Sequence, residues 1–150
     1  MKEKAMLKTR GDVSITVIRG DGSASTYRGH NLITNSGIDF LANSFGKATR
    51  LAQMTYIAVG TGTDSAANAD TALKKESLRK SASVNYTAGS GVITVSATFA
   101  AGEATGALTE AGILNAASGG TLFDRIVFPV INKGASDTVN FTFEITLARG

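Results

Sequence analysis

No cysteine occurs in the chain, so a disulfide, a thiolate metal site and a cysteine nucleophile are all excluded. That absence fits synthesis in a reducing compartment and leaves extra stability to packing or self-association. The single histidine, His30, rules out a histidine-rich zinc site. A catalytic triad needs a placed nucleophile and an orienting carboxylate beside its histidine, and the neighbours Arg28, Gly29 and Asn31 read as a strand end. With no tryptophan and three tyrosines, the aromatic platform that sugars stack on is poor. No run of about 18 apolar residues exists, so no membrane-spanning helix is expected. The stretch Met1–Arg10 lacks the continuous apolar segment of a secretory leader. A net charge of +3 is small for this length and spread out, apart from Lys74, Lys75, Arg79 and Lys80. Nucleic-acid binding is therefore not expected. Asp64 and Asp70 stand apart among Ala and Asn, unlike the closely spaced ligands of a calcium loop. No metal, cofactor or catalytic constellation is expected.

What is present is alternation. Val139-Asn140-Phe141-Thr142-Phe143-Glu144-Ile145-Thr146-Leu147 switches between apolar and polar without an error, the period of a strand with one buried face. Val13, Ile15 and Val17 repeat the pattern, as do Ile93, Val95, Ala97 and Phe99. Further strands are expected over Ser23–Arg28, Met54–Val59, Leu78–Tyr86, Thr109–Leu114 and Leu122–Val130. Pro129 should end the last of these or lie at an edge, because it cannot donate a ladder hydrogen bond. Turn signals punctuate the strands at Gly20-Asp21-Gly22, Gly89-Ser90-Gly91, Ser118-Gly119-Gly120 and Asn132-Lys133-Gly134. One helix is expected near residues 36–45, capped by Thr34, Asn35 or Ser36 and stopped at Gly46. Its apolar stripe reads as Ile38, Leu41, Ala42 and Phe45. Asp70 is a candidate cap for a short helical turn over Thr71–Lys75. The pattern predicts one all-β domain over residues 11–150, an antiparallel β-sandwich of jelly-roll type with one short helix. Residues 1–10 read as a basic N-terminal arm: an edge strand, a tail that clamps a neighbour, or a frayed terminus.

Two charges lie inside apolar runs, Glu110 in Leu108–Leu114 and Arg125 in Leu122–Phe128. Each must point outward or be paired if buried, which makes them structural ion-pair candidates. Gly60-Thr61-Gly62-Thr63-Asp64-Ser65 has two of the glycines of a dinucleotide loop. Ser65 stands where the third belongs and no amphipathic helix follows, so it reads as a glycine turn after a strand. The Lys74–Lys80 cluster reads as a solvated face. In the arm, Met6 and Leu7 are apolar anchors, with Lys2, Lys4, Lys8 and Arg10 available to acidic partners.

Four segments taken in order resemble small structural proteins of tailed bacteriophages. They are Asn31-Leu32-Ile33-Thr34-Asn35-Ser36-Gly37 with Ile38–Ala42, then Tyr56-Ile57-Ala58-Val59-Gly60-Thr61-Gly62, then Glu110-Ala111-Gly112-Ile113-Leu114, then Gly120-Thr121-Leu122-Phe123-Asp124-Arg125. The resemblance runs from about Asn31 to Leu147. It implies a non-enzymatic virion protein, made in the host bacterial cytoplasm. The expected role is a capsid cement or decoration protein that binds the major capsid protein and copies of itself as a dimer or trimer. A tail-fibre or baseplate component carries a similar module, and a carbohydrate-binding module is the alternative from another class. No catalytic residue and no membrane partner is implied.

Overall fold

The alternation over Val13–Val17 and Val139–Leu147 belongs to two long strands that lie side by side. In the computed structural model, which describes residues 4–150, β1 (Leu7–Ile18) and β10 (Thr138–Arg149) pair antiparallel along their whole length. Their register sets Ile15 opposite Phe141, Val13 opposite Phe143 and Val17 opposite Val139. The apolar faces thus align in rows, because a slip of one residue would turn every one of these side chains to water. β2 (Ala24–His30) folds back on β1 through the expected Gly20–Gly22 turn. Gly22 takes φ +87° there, and Asp21 Oδ1 accepts the Ser23 N–H at 2.9 Å. β7 (Val92–Phe99) flanks β10 on its other side, and β6 (Ser83–Thr87) closes that sheet in the order β2-β1-β10-β7-β6.

The second sheet has the order β3-β9-β8-β4-β5. It comprises β3 (Leu32–Ile33), β4 (Tyr56–Gly60), β5 (Glu76–Ser81), β8 (Gly106–Leu114) and β9 (Asp124–Lys133). The two antiparallel sheets face each other as an all-β sandwich. Ile15, Val95, Phe99, Phe141 and Phe143 from one sheet meet Ile57, Val59, Leu108, Ile113, Ile126 and Phe128 from the other in a single core cluster. The rings of Phe99 and Phe141 meet edge to face at 5.6 Å, and Phe128 reaches across the core to within 6.0 Å of Phe141. Such aromatic pairs add to the area they bury.

Several expectations are corrected. The strand read over Leu78–Tyr86 is two strands in different sheets, β5 and β6, joined at Ala82, whose N–H is held by the Thr55 carbonyl. No helical turn forms at Thr71–Lys75; the Asp70 carboxylate is spent on the Ala67 N–H and on cationic side chains instead. Of the two alternatives for Pro129, the edge is the one found, since β9 runs on through it. Its neighbour β3 spans only Leu32 and Ile33, opposite Arg125 and Asp124, so the strand is an open edge where proline's missing donor falls. Four of the ten arm residues, Leu7–Arg10, are the first part of β1.

The helix α1 (Asn35–Gly46) is capped by Thr34, whose hydroxyl accepts the Gly37 N–H at 3.0 Å. Its buried face differs from the expected stripe. Gly37, Phe40, Leu41 and Ser44 face the sandwich, while Ile38 is 48% and Phe45 95% exposed. Gly37 sets this rotation. A Cβ there would collide with the Phe123 carbonyl oxygen, so the helix packs on β9's leading segment through a residue without a side chain. Phe40 then meets Phe123 edge to face at 6.2 Å.

Candidate functional site

The four segments singled out in the sequence lie far apart in the chain and converge on one buried polar hub. Its centre is Arg125, fully buried on β9. A register irregularity between Leu108 and Glu110 places Leu108 and Ala111 in the core and leaves Glu110 on the opposite face, beside Arg125. The two candidate charges pair there, Arg125 Nε lying 2.8 Å from Glu110 Oε2. Asp70 completes the cluster, with its Oδ2 3.1 Å from Arg125 Nη1 and its Oδ1 3.1 Å from Lys74 Nζ.

The Glu110 carboxylate also gathers backbone. It accepts N–H groups from Gly62 at 3.0 Å, Lys74 at 3.0 Å and Lys75 at 2.7 Å. The connection between β4 and β5 is thereby strapped over the outer face of its sheet. Burial pushes the Glu110 carboxyl up, but those N–H groups and the Arg125 guanidinium outweigh it and hold the group below its ordinary value. Gly60-Thr61-Gly62 is part of this strap. A Cβ at Gly62 would stand 2.5 Å from Glu110 Oε1, so glycine serves close approach to a carboxylate rather than to a phosphate.

Asp124, next along β9, points the other way and is fully buried. Its Oδ1 accepts the Ile113 N–H at 2.9 Å and its Oδ2 accepts from the Asn31 side-chain amide. Burial outweighs both bonds and raises its carboxyl to about 7. Asn31 Oδ1 and Arg125 Nη2 are buried without a hydrogen-bond partner among the described residues. Thr34 ties the same region to the helix, donating from its hydroxyl to the Leu122 carbonyl at 2.9 Å.

Asp70, Asn31 and Asp124 were not singled out as site residues from the sequence. Asp124 carried the same signal as Glu110 and Arg125, a charge inside the apolar run Leu122–Phe128. Asp70 carried none, because its partner lies in a distant strand.

The remaining charged residues resolve simply. The Lys74–Lys80 cluster is largely consumed within the chain: Arg79 pairs with Glu76 at 2.7 Å and Lys80 with Glu103 at 2.6 Å. His30 Nδ1 lies 2.7 Å from Asp12 Oδ1 on the outer face of the first sheet. Among the described residues no hydroxyl is hydrogen-bonded to that ring, and no group of three metal-ligating side chains occurs. Among the described residues no helix is long and apolar enough to cross a membrane.

Two surface features stand out. At one end of the sandwich the N-terminus and the C-terminus run together as a two-stranded extension. Leu7 pairs with Arg149, and the Gly150 N–H donates to the Met6 carbonyl at 2.9 Å. Met6 and Leu7 are exposed there, among Lys4, Lys8, Arg10 and Arg149; Lys2 lies outside the described residues. Beside α1, an apolar cavity of about 640 Å³ opens between the helix and β6. It is lined by Phe40, Leu41, Met54, Ile93 and Phe123, with Arg50, Gln53 and Tyr86 among its other residues. Compared with protein-family models, with curated proteins and with solved structures, the chain matches none.

Proposed function

We propose that this chain is a non-enzymatic structural protein of a tailed-bacteriophage particle, a cement or decoration protein that binds the capsid lattice and copies of itself. One observation carries the reading. The four segments that resemble such proteins are all used to build the buried hub, where Asn31 meets Asp124, Gly62 meets Glu110 and Glu110 meets Arg125. A signature used in this way describes a rigid scaffold, and binding is left to the surface. The paired termini supply a fitting surface. Met6 and Leu7 offer apolar contact and Lys4, Lys8 and Arg149 offer charge to an acidic neighbour, while Arg10 is paired with Asp12 at 2.9 Å. Apolar anchors set within a complementary charged rim are what a protein–protein contact requires.

The test is quantitative mass spectrometry of purified particles, comparing complete virions with tailless heads. Retention in heads at a copy number comparable to the major capsid protein is the expected result. A few copies per particle, lost with the tails, would make the protein a tail or baseplate part. Absence from both would overturn the virion reading. Removing residues 1–6, which precede β1, should abolish particle binding while leaving the melting temperature unchanged.

A further inference from the structure

The side of α1 turned away from the sandwich carries a second apolar stripe. Ile38, Ala42 and Phe45 follow one another at spacings of four and three, the spacing of a helix–helix seam. All three are exposed, with Phe45 at 95% and Ile38 at 48%. Single exposed apolar side chains are ordinary, but an aligned set on one helix marks a contact. Leu51, 42% exposed, follows just beyond the helix.

The charges on this helix say what the contact is. Asp39 is the acidic residue of α1, and Lys47 and Arg50 follow its C-terminal end. None of the three has an ion-pair partner within the chain among the described residues. A helix that is acidic in its first half and followed by basic residues is complementary to itself reversed. Laid antiparallel on a second copy, Asp39 of each helix approaches Lys47 of the other, and Ile38 faces Phe45. A parallel pairing would set like charges together. The same patch on both partners, meeting about a two-fold axis, is an isologous interface.

We infer that α1 is the dimerisation element of this protein, pairing antiparallel with α1 of a second copy through Ile38, Ala42 and Phe45. Ala42 lies near the two-fold axis, and its small side chain admits close approach. Helices packed about 8–10 Å apart, each with its Cα atoms on a radius of about 2.3 Å, bring facing Cα atoms within the reach of a disulfide. The inference gives a surface to the self-association in the proposed function. Its test needs no virus particle, so either idea can fail alone.

The chain's lack of cysteine makes the experiment clean. Wild type should sediment as a dimer, and Ala42→Cys should give a covalent dimer on oxidation. Phe45→Asp should sediment as a monomer that keeps the wild-type circular dichroism spectrum, because that side chain touches little of its own domain, and its melting temperature should match wild type only where wild type is diluted to monomer. Asp39→Lys should weaken the dimer at least tenfold, and the double variant Asp39→Lys/Lys47→Asp should restore it. A monomeric wild type would overturn the inference. So would an oligomer that survives Phe45→Asp and gives no cross-link through position 42, which would place the contact elsewhere.

Discussion

At the scale of single residues, the buried charges divide into two kinds. Asp124 is buried with a peptide N–H and an amide for company and no cation, so burial raises its carboxyl to about 7. The folded state therefore holds a proton that the unfolded chain, with an ordinary carboxyl near 3.8, has released. The contribution of this group to stability is fully present below about pH 4 and is lost as pH rises toward about 7, at a total cost of about 4 kcal/mol. Asp124→Asn removes the cost, and with the Asn31 amide turned over the new N–H meets Asn31 Oδ1, which has no partner among the described residues. The variant should match wild type at pH 4 and be more stable by a few kcal/mol at pH 8, as read by urea denaturation across that range. An unchanged difference at all pH values would mean that Asp124 does not hold the proton. Glu110 and Asp70 behave oppositely. Burial raises each carboxyl, and their N–H and cationic partners lower it further than that. The stability they contribute is present above their unfolded values and is lost as pH falls through the folded ones. Arg125→Met leaves Glu110 with its peptide N–H groups and no buried cation, and leaves Asp70 with Lys74 and the Ala67 N–H; losing one side of a buried ion pair costs about 3–5 kcal/mol. Hydrogen exchange should show the 61–75 strap opening in that variant before the sheets do.

At the scale of elements, the hub's hold on α1 is measurable. Thr34→Val keeps the side chain's shape but removes the N-cap and the bond to the Leu122 carbonyl. A lost cap costs about 0.5–2 kcal/mol. Urea denaturation should show a loss in that range, whereas Phe45→Ser, compared at a protein concentration too low for the dimer, should fall within about 0.5 kcal/mol of wild type, as surface changes do. The contrast also shows what the sequence can convey. Strands such as β1 and β10 were legible because a period of two leaves one choice of inner face. The helix was legible as a helix, with its cap, but not in its rotation. Ile38, Ala42 and Phe45 are the more apolar side, and the side that packs is chosen by Gly37 against the backbone carbonyl of Phe123, far along the chain. The pairing partners open to Glu110 and Arg125 were legible only as a requirement, since a charge in an apolar run demands one. Asp70 became visible once the strap folded over them. The break at Ala82 left no local mark, because β5 and β6 differ in the sheet they join and not in their composition.

At the scale of the whole molecule, the sandwich is closed by its own ends. β1 and β10 form the longest strand pair and lie at the middle of their sheet, although they begin and finish the chain. Such closure joins residues at the greatest sequence separation, and its loop entropy must be met before the pairing rewards it. Truncation separates the two parts of the N-terminus. Of the described residues, 4–6 precede the strand and are held by the bond from Gly150 to Met6, so removing residues 1–6 is expected to cost little. Removing residues 1–10 takes away the partners of Thr146, Leu147, Ala148 and Arg149 and leaves the end of β10 unpaired on that side. Cross-strand pairs are worth about 0.2–1 kcal/mol each, so losing the four pairs in the longer truncation should cost about 1–4 kcal/mol. A melting temperature falls by about 2–4 °C per kcal/mol in a domain of this size. Thermal melts of the two truncations should therefore differ by several degrees, the shorter matching wild type. If both match wild type, the paired termini are an appendage of the sandwich. If the longer one alone falls, the same ribbon is at once a structural seam and the presented surface, and its binding can be mutated only from outside, at Met6 and Lys4, without weakening the fold.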